Sequence, residues 1–162
     1  MRRLGCALAT LLFLAAPLAR ADSLQDLLEI QEAVREARDR VLPSLVRIQP
    51  ISEIYVGGRK VKRTGYGSGV IFSHEGHVLT NYHVAGRAKN LICVLNDKEE
   101  IPAKLIAGDP WTDLAVIQLE LDEYKGHSLN WAVLGDSDRV QVGDFVIALG
   151  SPFSLTRTLT FG

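Results

Sequence analysis

The fold of this chain of 162 residues is decided by residues 65–86, whose sequence is GYGSGVIFSHEGHVLTNYHVAG. Two short apolar runs, 70–72 and 77–80, are separated by the turn-forming residues Ser-His-Glu-Gly, and this pattern predicts a β-hairpin. Where the second run ends, the titratable ring of His83 follows at a position suited to face a cleft. Because a single histidine is more often structural than catalytic, its role depends on a partner elsewhere in the chain.

Asp113 is the candidate partner, because it directly precedes another apolar run at 114–117. A carboxylate at the start of a buried strand can orient an imidazole ring, as the aspartate of a Ser-His-Asp triad does. Spacing alone does not establish that His83 and Asp113 touch. Asp109 is followed by a proline, and the Asp-Pro pair is typical of a turn, so we expect Asp109 to be structural.

Four motifs that occur in order along the chain point to a known family. They are TNYHV at 80–84, TDLAV at 112–116, LGDSD at 134–138 and VGDFVIALGSPF at 142–153. Together they resemble the HtrA/DegP family of trypsin-like serine proteases, over a stretch from about residue 40 to the last residue. The resemblance implies an all-β, Greek-key double β-barrel without a cofactor. It also implies that His83 is the general base and that Asp113 orients its ring.

The first 21 residues predict a signal peptide. Met1-Arg2-Arg3 is basic, residues 4–19 form an apolar run, and Ala19-Arg20-Ala21 fits the small-x-small cleavage pattern. The run is shorter than the roughly 20 residues that a membrane-spanning helix needs, although a retained anchor is the alternative. We therefore predict export to the periplasm or another extracytoplasmic compartment.

Residues 22–42 predict a helix, because apolar residues recur at helical spacing between Glu, Gln and Arg. Asp22 or Ser23 can cap its start, and Pro43 ends it. The helix either packs on its own domain or contributes to an oligomer contact. The resemblance implies the second role, since N-terminal segments of the resembled family help to build trimers.

After Pro43 the periodicity becomes that of short strands. Beside the central hairpin, we predict strands at 45–48, 54–56, 59–63, 91–95, 101–106, 114–119, 140–150 and 156–161. No long helical pattern separates them, which is typical of an antiparallel barrel or sandwich. By the resemblance, residues 43–120 form a complete first barrel, residues 121–138 cross over, and residues 139–162 begin a second barrel.

The predicted hairpin at 54–63 carries four basic side chains on its returning arm. Charges on an exposed strand keep sheet edges from pairing with other chains, so a solvated edge is one interpretation. Recruitment of an acidic partner is the other. By the resemblance, this hairpin corresponds to a variable regulatory loop.

Composition argues against nucleic-acid binding. Residues 1–21 carry three arginines and no acidic residue, so the remaining chain has 15 basic and 19 acidic side chains, a net charge of −4. No large basic field remains to attract phosphates. One cysteine, Cys93, is left in an apolar run, where we expect it to be buried and inert and where it has no disulfide partner.

The sequence pattern argues against a metal site and against a dinucleotide-binding loop. His74, His77 and His83, together with Glu75, do not follow a recognised zinc-binding pattern, and we predict no metal. The glycine-rich segment at 65–69 is followed by a strand, whereas a dinucleotide-binding loop is followed by a helix.

The 162 residues contain no Gly-x-Ser-Gly-Gly motif, in which the resembled family carries its nucleophile. Ser68 lacks the flanking pattern of a nucleophile elbow, and Ser151 lies in a turn motif by the resemblance. We therefore predict the N-terminal part of a longer serine endopeptidase that acts on unfolded or misfolded exported proteins and is a trimer-based homo-oligomer. The chain by itself is predicted to be inactive. The alternative is a non-catalytic chaperone or binding module for unfolded chains.

Overall fold

The computed structural model describes residues 16–126, 128–150 and 158–162. The chain divides into two compact units, and the boundary between them lies after Ala37. Helix α1 spans Ala16–Val41 and therefore begins before the expected cap at Asp22 or Ser23. The preceding alanines, leucine and arginine favour a helix, and a proline is tolerated in its first turn. In the part of the chain that the structure describes, no helix has the length and apolarity needed to cross a membrane.

The second unit consists mainly of strands. In chain order these are β1 (Leu45–Val56), β2 (Arg59–Thr64), β3 (Gly67–Ile71), β4 (His77–Asn81), β5 (Asn90–Val94), β6 (Glu100–Asp109), β7 (Leu114–Leu119), β8 (Ile147–Gly150) and β9 (Thr158–Phe161). The short helix α2 (Tyr82–Ala85) follows β4 directly. Within the described residues, 3-10 turns lie at Leu42–Ser44, Leu121–Glu123 and Ser137–Arg139.

Six of these strands close into an antiparallel barrel in the order β1-β3-β4-β7-β6-β5, with β5 paired back to β1. Closure depends on β1, which is long enough to pair with β3 through residues 45–48 and with β5 through residues 47–51. Its remaining half pairs with β2 as a hairpin that extends from the barrel. A closed barrel leaves no unpaired sheet edge. The predicted all-β fold with a complete first barrel and an N-terminal helix is confirmed.

The barrel interior is filled by alternate residues of its strands, as period-two alternation requires. In β7, for example, the side chains of Ala115, Ile117 and Leu119 are buried. Cys93 of β5 is completely buried among them, in agreement with the sequence prediction. Burial raises the pKa of its thiol to about 12, because a thiolate is poorly solvated inside an apolar core.

The predicted strand at 140–150 is wrong over its first part, because strand β8 begins only at Ile147. Before it, the Asp144 carboxylate accepts a hydrogen bond from the backbone N–H of Gln141 at 2.9 Å, and Gly143 adopts a φ of 103°. This side-chain-to-backbone turn competes with strand formation. Strands β8 and β9 form a separate two-stranded sheet. The expected turn at Ser151 and the start of the strand at 156–161 lie outside the described residues.

Candidate active site

The barrel register brings His83 and Asp113 together from distant parts of the sequence. Strands β4 and β7 are antiparallel neighbours, and Asn81 at the end of β4 pairs with Leu114 at the start of β7. Asp113 immediately precedes β7, and His83 lies in α2 just after β4. The two residues therefore meet at the same end of the same strand pair.

The Asp113 carboxylate contacts His83 through both of its oxygens. The Nδ1 atom of His83 lies 2.7 Å from Oδ2, and the backbone N–H of His83 donates to Oδ1 at 2.9 Å. A carboxylate that only accepts hydrogen bonds requires the proton to be on Nδ1, which leaves Nε2 as the basic nitrogen. The His83 side chain is 70% exposed, so it is open to a reacting group.

The backbone of Asp113 is held as firmly as its side chain. Its carbonyl oxygen accepts the backbone N–H of Tyr82 at 2.9 Å. Its φ of 58° places it in the left-handed region, which residues other than glycine enter rarely. Such a conformation persists where surrounding bonds over-determine it. Here the bonds from Tyr82 and His83 do so, and they turn the carboxylate toward the imidazole.

The hydrogen bonds from His83 favour the ionised form of the Asp113 carboxyl. The backbone N–H of His83, and then its ring, hold the pKa of the Asp113 carboxyl below its ordinary value, while partial desolvation opposes them. Hydrogen bonds donated to a carboxylate favour its charged form. The ionised carboxylate therefore lies 2.7 Å from Nδ1 of His83.

Asp109, the other carboxylate of this loop, binds residues of its own turn, whereas Asp113 binds His83. Its Oδ1 accepts the backbone N–H of Trp111 at 2.9 Å, and its Oδ2 accepts the Thr112 hydroxyl at 2.8 Å. These bonds hold the pKa of the Asp109 carboxyl below its ordinary value. The structure thus separates a turn-forming aspartate from the aspartate that binds His83.

Asn81 is a site residue that the sequence interpretation passed over. Its side-chain amide donates to the carbonyl oxygen of Asp113 at 3.2 Å and to Oδ2 at 3.3 Å. The signal that could have indicated it is its place in the motif TNYHV, as a polar amide at the end of a half-buried strand. Asn81 therefore ties the end of β4 to the same carboxylate that binds His83.

The other candidate residues have structural contacts. The His77 ring bonds through Nδ1 to the Ser73 hydroxyl at 2.8 Å, and the His74 and Trp131 rings form a T-shaped pair with their centroids 6.2 Å apart. The carbonyl oxygen of Ser68 accepts the Thr80 hydroxyl at 2.8 Å within the barrel wall. Within residues 16–126, 128–150 and 158–162, no three or more His, Cys, Asp and Glu side chains are grouped so that they could hold a metal ion.

Known proteins are similar to this chain in sequence. Residues 67–162 match the model of the trypsin-like peptidase domain, and this stretch includes both His83 and Asp113. A probable periplasmic serine endoprotease, DegP-like, of Ectopseudomonas mendocina (strain ymp) is 38% identical over 144 residues, which are 89% of this chain and 28% of that relative. This chain belongs to the HtrA/DegP family of trypsin-like serine proteases. A DegP-like relative from Marinomonas sp. (strain MWYL1) is 45% identical over 101 residues, 62% of this chain and 20% of its own length.

Solved structures agree with the family at the level of the fold. The HtrA-type protease AlgW with a decapeptide superposes with a TM-score of 0.65 at 30% identity, over 78% of this chain and 43% of that one. The same protease with a tripeptide gives a TM-score of 0.66 at 35% identity, over 78% of this chain and 37% of that one. The six-stranded barrel is therefore a trypsin-like HtrA barrel, as predicted. The chain spans 28% of the length of the Ectopseudomonas relative.

Proposed function

We propose that this HtrA/DegP-family chain supplies the general base and the orienting carboxylate of a serine endopeptidase that cleaves unfolded or misfolded polypeptides. The observation that supports this most directly is the contact between His83 Nδ1 and Asp113 Oδ2 at 2.7 Å. It fixes the tautomer that leaves Nε2 free to take a proton, which is the arrangement that a Ser-His-Asp triad requires.

In the proposed reaction, Nε2 of His83 takes the proton of a serine hydroxyl while its oxygen attacks the peptide carbonyl carbon. The imidazolium returns that proton to the leaving amine as the carbon–nitrogen bond breaks, and an acyl-enzyme remains. Water, deprotonated by the same Nε2, then releases the carboxylic acid and regenerates the serine. Asp113 stays ionised throughout and stabilises the imidazolium.

The serine is the part of this proposal that the 162 residues do not supply, since they contain no Gly-x-Ser-Gly-Gly motif. A base and its orienting carboxylate have nothing to activate without a nucleophile. We therefore propose that the chain by itself does not hydrolyse peptides and that its dyad acts together with a serine-bearing second barrel.

The setting of this activity is the periplasm. The relatives are named periplasmic endoproteases, and the pattern of residues 1–21 predicts an export signal. The peptides in the AlgW structures support polypeptides as the substrate class. A trimer-based homo-oligomer is part of the proposal through the family resemblance alone.

A chimera tests the proposal. In it, this chain is joined after its last residue to the remaining C-terminal part of the Ectopseudomonas mendocina relative. We expect the chimera to cleave an unfolded protein such as casein. His83→Ala should lower its turnover about 10³–10⁴-fold or more, as loss of a triad member does. His74→Ala, at an exposed histidine of the same hairpin, is the matched control and should leave turnover unchanged.

The alternative function gives a different result in the same assay. A chimera that prevents the aggregation of unfolded protein without cleaving it, with or without His83, would favour a binding module. Full turnover in the His83→Ala chimera would contradict the proposed base.

A further inference from the structure

Val84, which follows His83 in α2, packs directly against the backbone of the barrel wall at Gly67. A Cβ atom added at Gly67 would lie 2.4 Å from Cγ1 and 2.7 Å from Cγ2 of Val84. Real Cβ atoms do not approach other heavy atoms so closely. Because valine is stiff about χ1, its methyl groups cannot swing aside cheaply. The absence of a side chain at Gly67 therefore sets how closely this side of α2 approaches β3.

Tyr82, which precedes His83, packs against a second glycine on the opposite part of the barrel. A Cβ atom at Gly108 of β6 would lie 2.8 Å from Cδ2 and 2.9 Å from Cε2 of the Tyr82 ring. The ring has no room to retreat toward its own helix, because a Cβ atom at Gly86 would lie 2.4 Å from its Cε2 atom. The ring is thus held between two glycines.

These two contacts matter because α2 is only four residues long. A single helical turn does not form or hold its position unaided, since helix nucleation is unfavourable. Its place is therefore set by what its residues touch. The neighbours of His83 on both sides rest on glycines of β3 and β6, and its own backbone N–H is bound by Asp113.

We propose that Gly67 and Gly108 are positioning residues for His83. Neither has a positive φ, so neither is needed for its backbone freedom, and the requirement lies in the space above each residue. A methyl group at either position pushes Val84 or Tyr82 outward and carries His83 with it, away from Asp113. The inference rests on the proposed role of His83 as a base, and it extends that role to two residues that touch neither substrate nor the reacting atoms.

The test is a spectroscopic readout of the His83 ring in the whole chain. The ¹⁵N chemical shifts of the two ring nitrogens, measured on the neutral ring, report which nitrogen carries the proton. In the unaltered chain we expect the proton on Nδ1, facing Asp113. In Gly67→Ala and Gly108→Ala we expect this preference to be lost. Gly135→Ala is the matched control, because a Cβ atom there has nothing within 4 Å, and it should keep the preference.

A rescue variant separates positioning from general damage to the fold. Val84→Ala removes both methyl groups that a Cβ atom at Gly67 would meet, so the double variant Gly67→Ala/Val84→Ala should largely recover the Nδ1 preference that Gly67→Ala loses. The amide spectrum of the barrel strands identifies variants that remain folded. Gly108→Ala gives an independent result if Gly67→Ala does not fold.

Folded Gly67→Ala and Gly108→Ala chains whose ring shifts equal those of the unaltered chain would overturn the inference. So would a double variant that stays as disturbed as Gly67→Ala alone. Because this readout needs no hydrolysis, it is independent of the turnover of the chimera. A failed proposed function would appear as full turnover in His83→Ala, whatever the ring shifts show.

Discussion

The side-chain amide of Asn81 is hydrogen-bonded twice to Asp113, at 3.2 Å to its carbonyl oxygen and at 3.3 Å to Oδ2. Oδ2 is also the oxygen that accepts the hydrogen bond from Nδ1–H of His83. The Asp113 carboxylate therefore accepts hydrogen bonds from two residues of a single segment. These bonds restrict its orientation and favour its ionised form. Bonds of this charge-assisted kind are stronger than those between neutral groups.

Asn81→Ala should raise the pKa of the Asp113 carboxyl. Removal of a donor to Oδ2 destabilises the ionised form relative to the protonated one, so the depressed pKa moves back toward its ordinary value. A ¹³C NMR titration of the Asp113 carboxyl measures the change. Asn130→Ala, at an exposed asparagine between β7 and β8, is the control that should leave this pKa unaltered. An unchanged Asp113 pKa in Asn81→Ala would show that the amide does not contribute.

Asp113→Asn should abolish most of the turnover of the chimera, whereas Asp109→Asn should change it little. An asparagine at 113 can present its NH₂ group to Nδ1, which favours the wrong tautomer and is expected to cost about 10³–10⁴-fold in kcat. Asp109 makes its bonds to Trp111 and Thr112, so its replacement loosens a turn. Steady-state kinetics on casein measures both variants. The reverse order of effects would exchange the two assignments.

Much of the barrel could be predicted from sequence because apolar alternation and turn residues act locally. The central hairpin was expected at 70–72 and 77–80, and β3 and β4 pair there through Val70 and Leu79. The continuity of β1 was not predictable in this way. Pro50 lacks an N–H donor and suggests a break, yet β1 continues through it. Pro50 pairs with Leu91 of β5, and its carbonyl oxygen accepts the N–H of Gly65 at 2.9 Å.

The site could be predicted in its residue types but not in its geometry. His83 and Asp113 were identified from their places beside apolar runs and from the family resemblance. The contact between them depends on the register of β4 with β7, which no local pattern specifies. The role of Asn81 was missed for the same reason. The motif TNYHV marks Asn81 as a polar amide at the end of a strand, but its partner 32 positions away is set by the strand register.

Glu53→Gln should lower the melting temperature at neutral pH but not near pH 2. Glu53 binds Lys60 at 2.5 Å and Lys89 at 2.7 Å, and these ammonium groups lower the pKa of its carboxyl from 4.5 to about 2. A depressed folded-state pKa contributes stability that is fully present above pH 4.5 and lost as the pH falls through about 2. Calorimetry over this range measures it.

Lys89→Met tests the ion pairs of Glu53 by removing one of its two lysine partners. It should raise the Glu53 pKa, because one of the two bound ammonium groups is lost, whereas Lys104→Met at an exposed lysine of β6 should not. A Glu53 pKa that stays near 2 in Lys89→Met would assign the whole shift to Lys60.

Cys93 should resist alkylation in the folded chain and react only when the barrel opens. Its side chain is completely buried, and the rise of its pKa from 9.0 to about 12 lowers the thiolate population at neutral pH about a thousandfold, since each pKa unit is a factor of ten. The rate of Cys93 alkylation is measured by labelling a Cys6→Ser chain with iodoacetamide, with and without urea, and following the product by mass spectrometry. We expect slow labelling in buffer and rapid labelling in urea.

The control for this prediction is a cysteine placed at Val142, which is fully exposed, in a chain without Cys6 and Cys93. It should react quickly with or without urea. If Cys93 reacted in buffer as fast as this control, the barrel would have to open locally around β5. Because β5 closes the barrel by pairing with β1, such an opening would expose the strand pair on which closure depends.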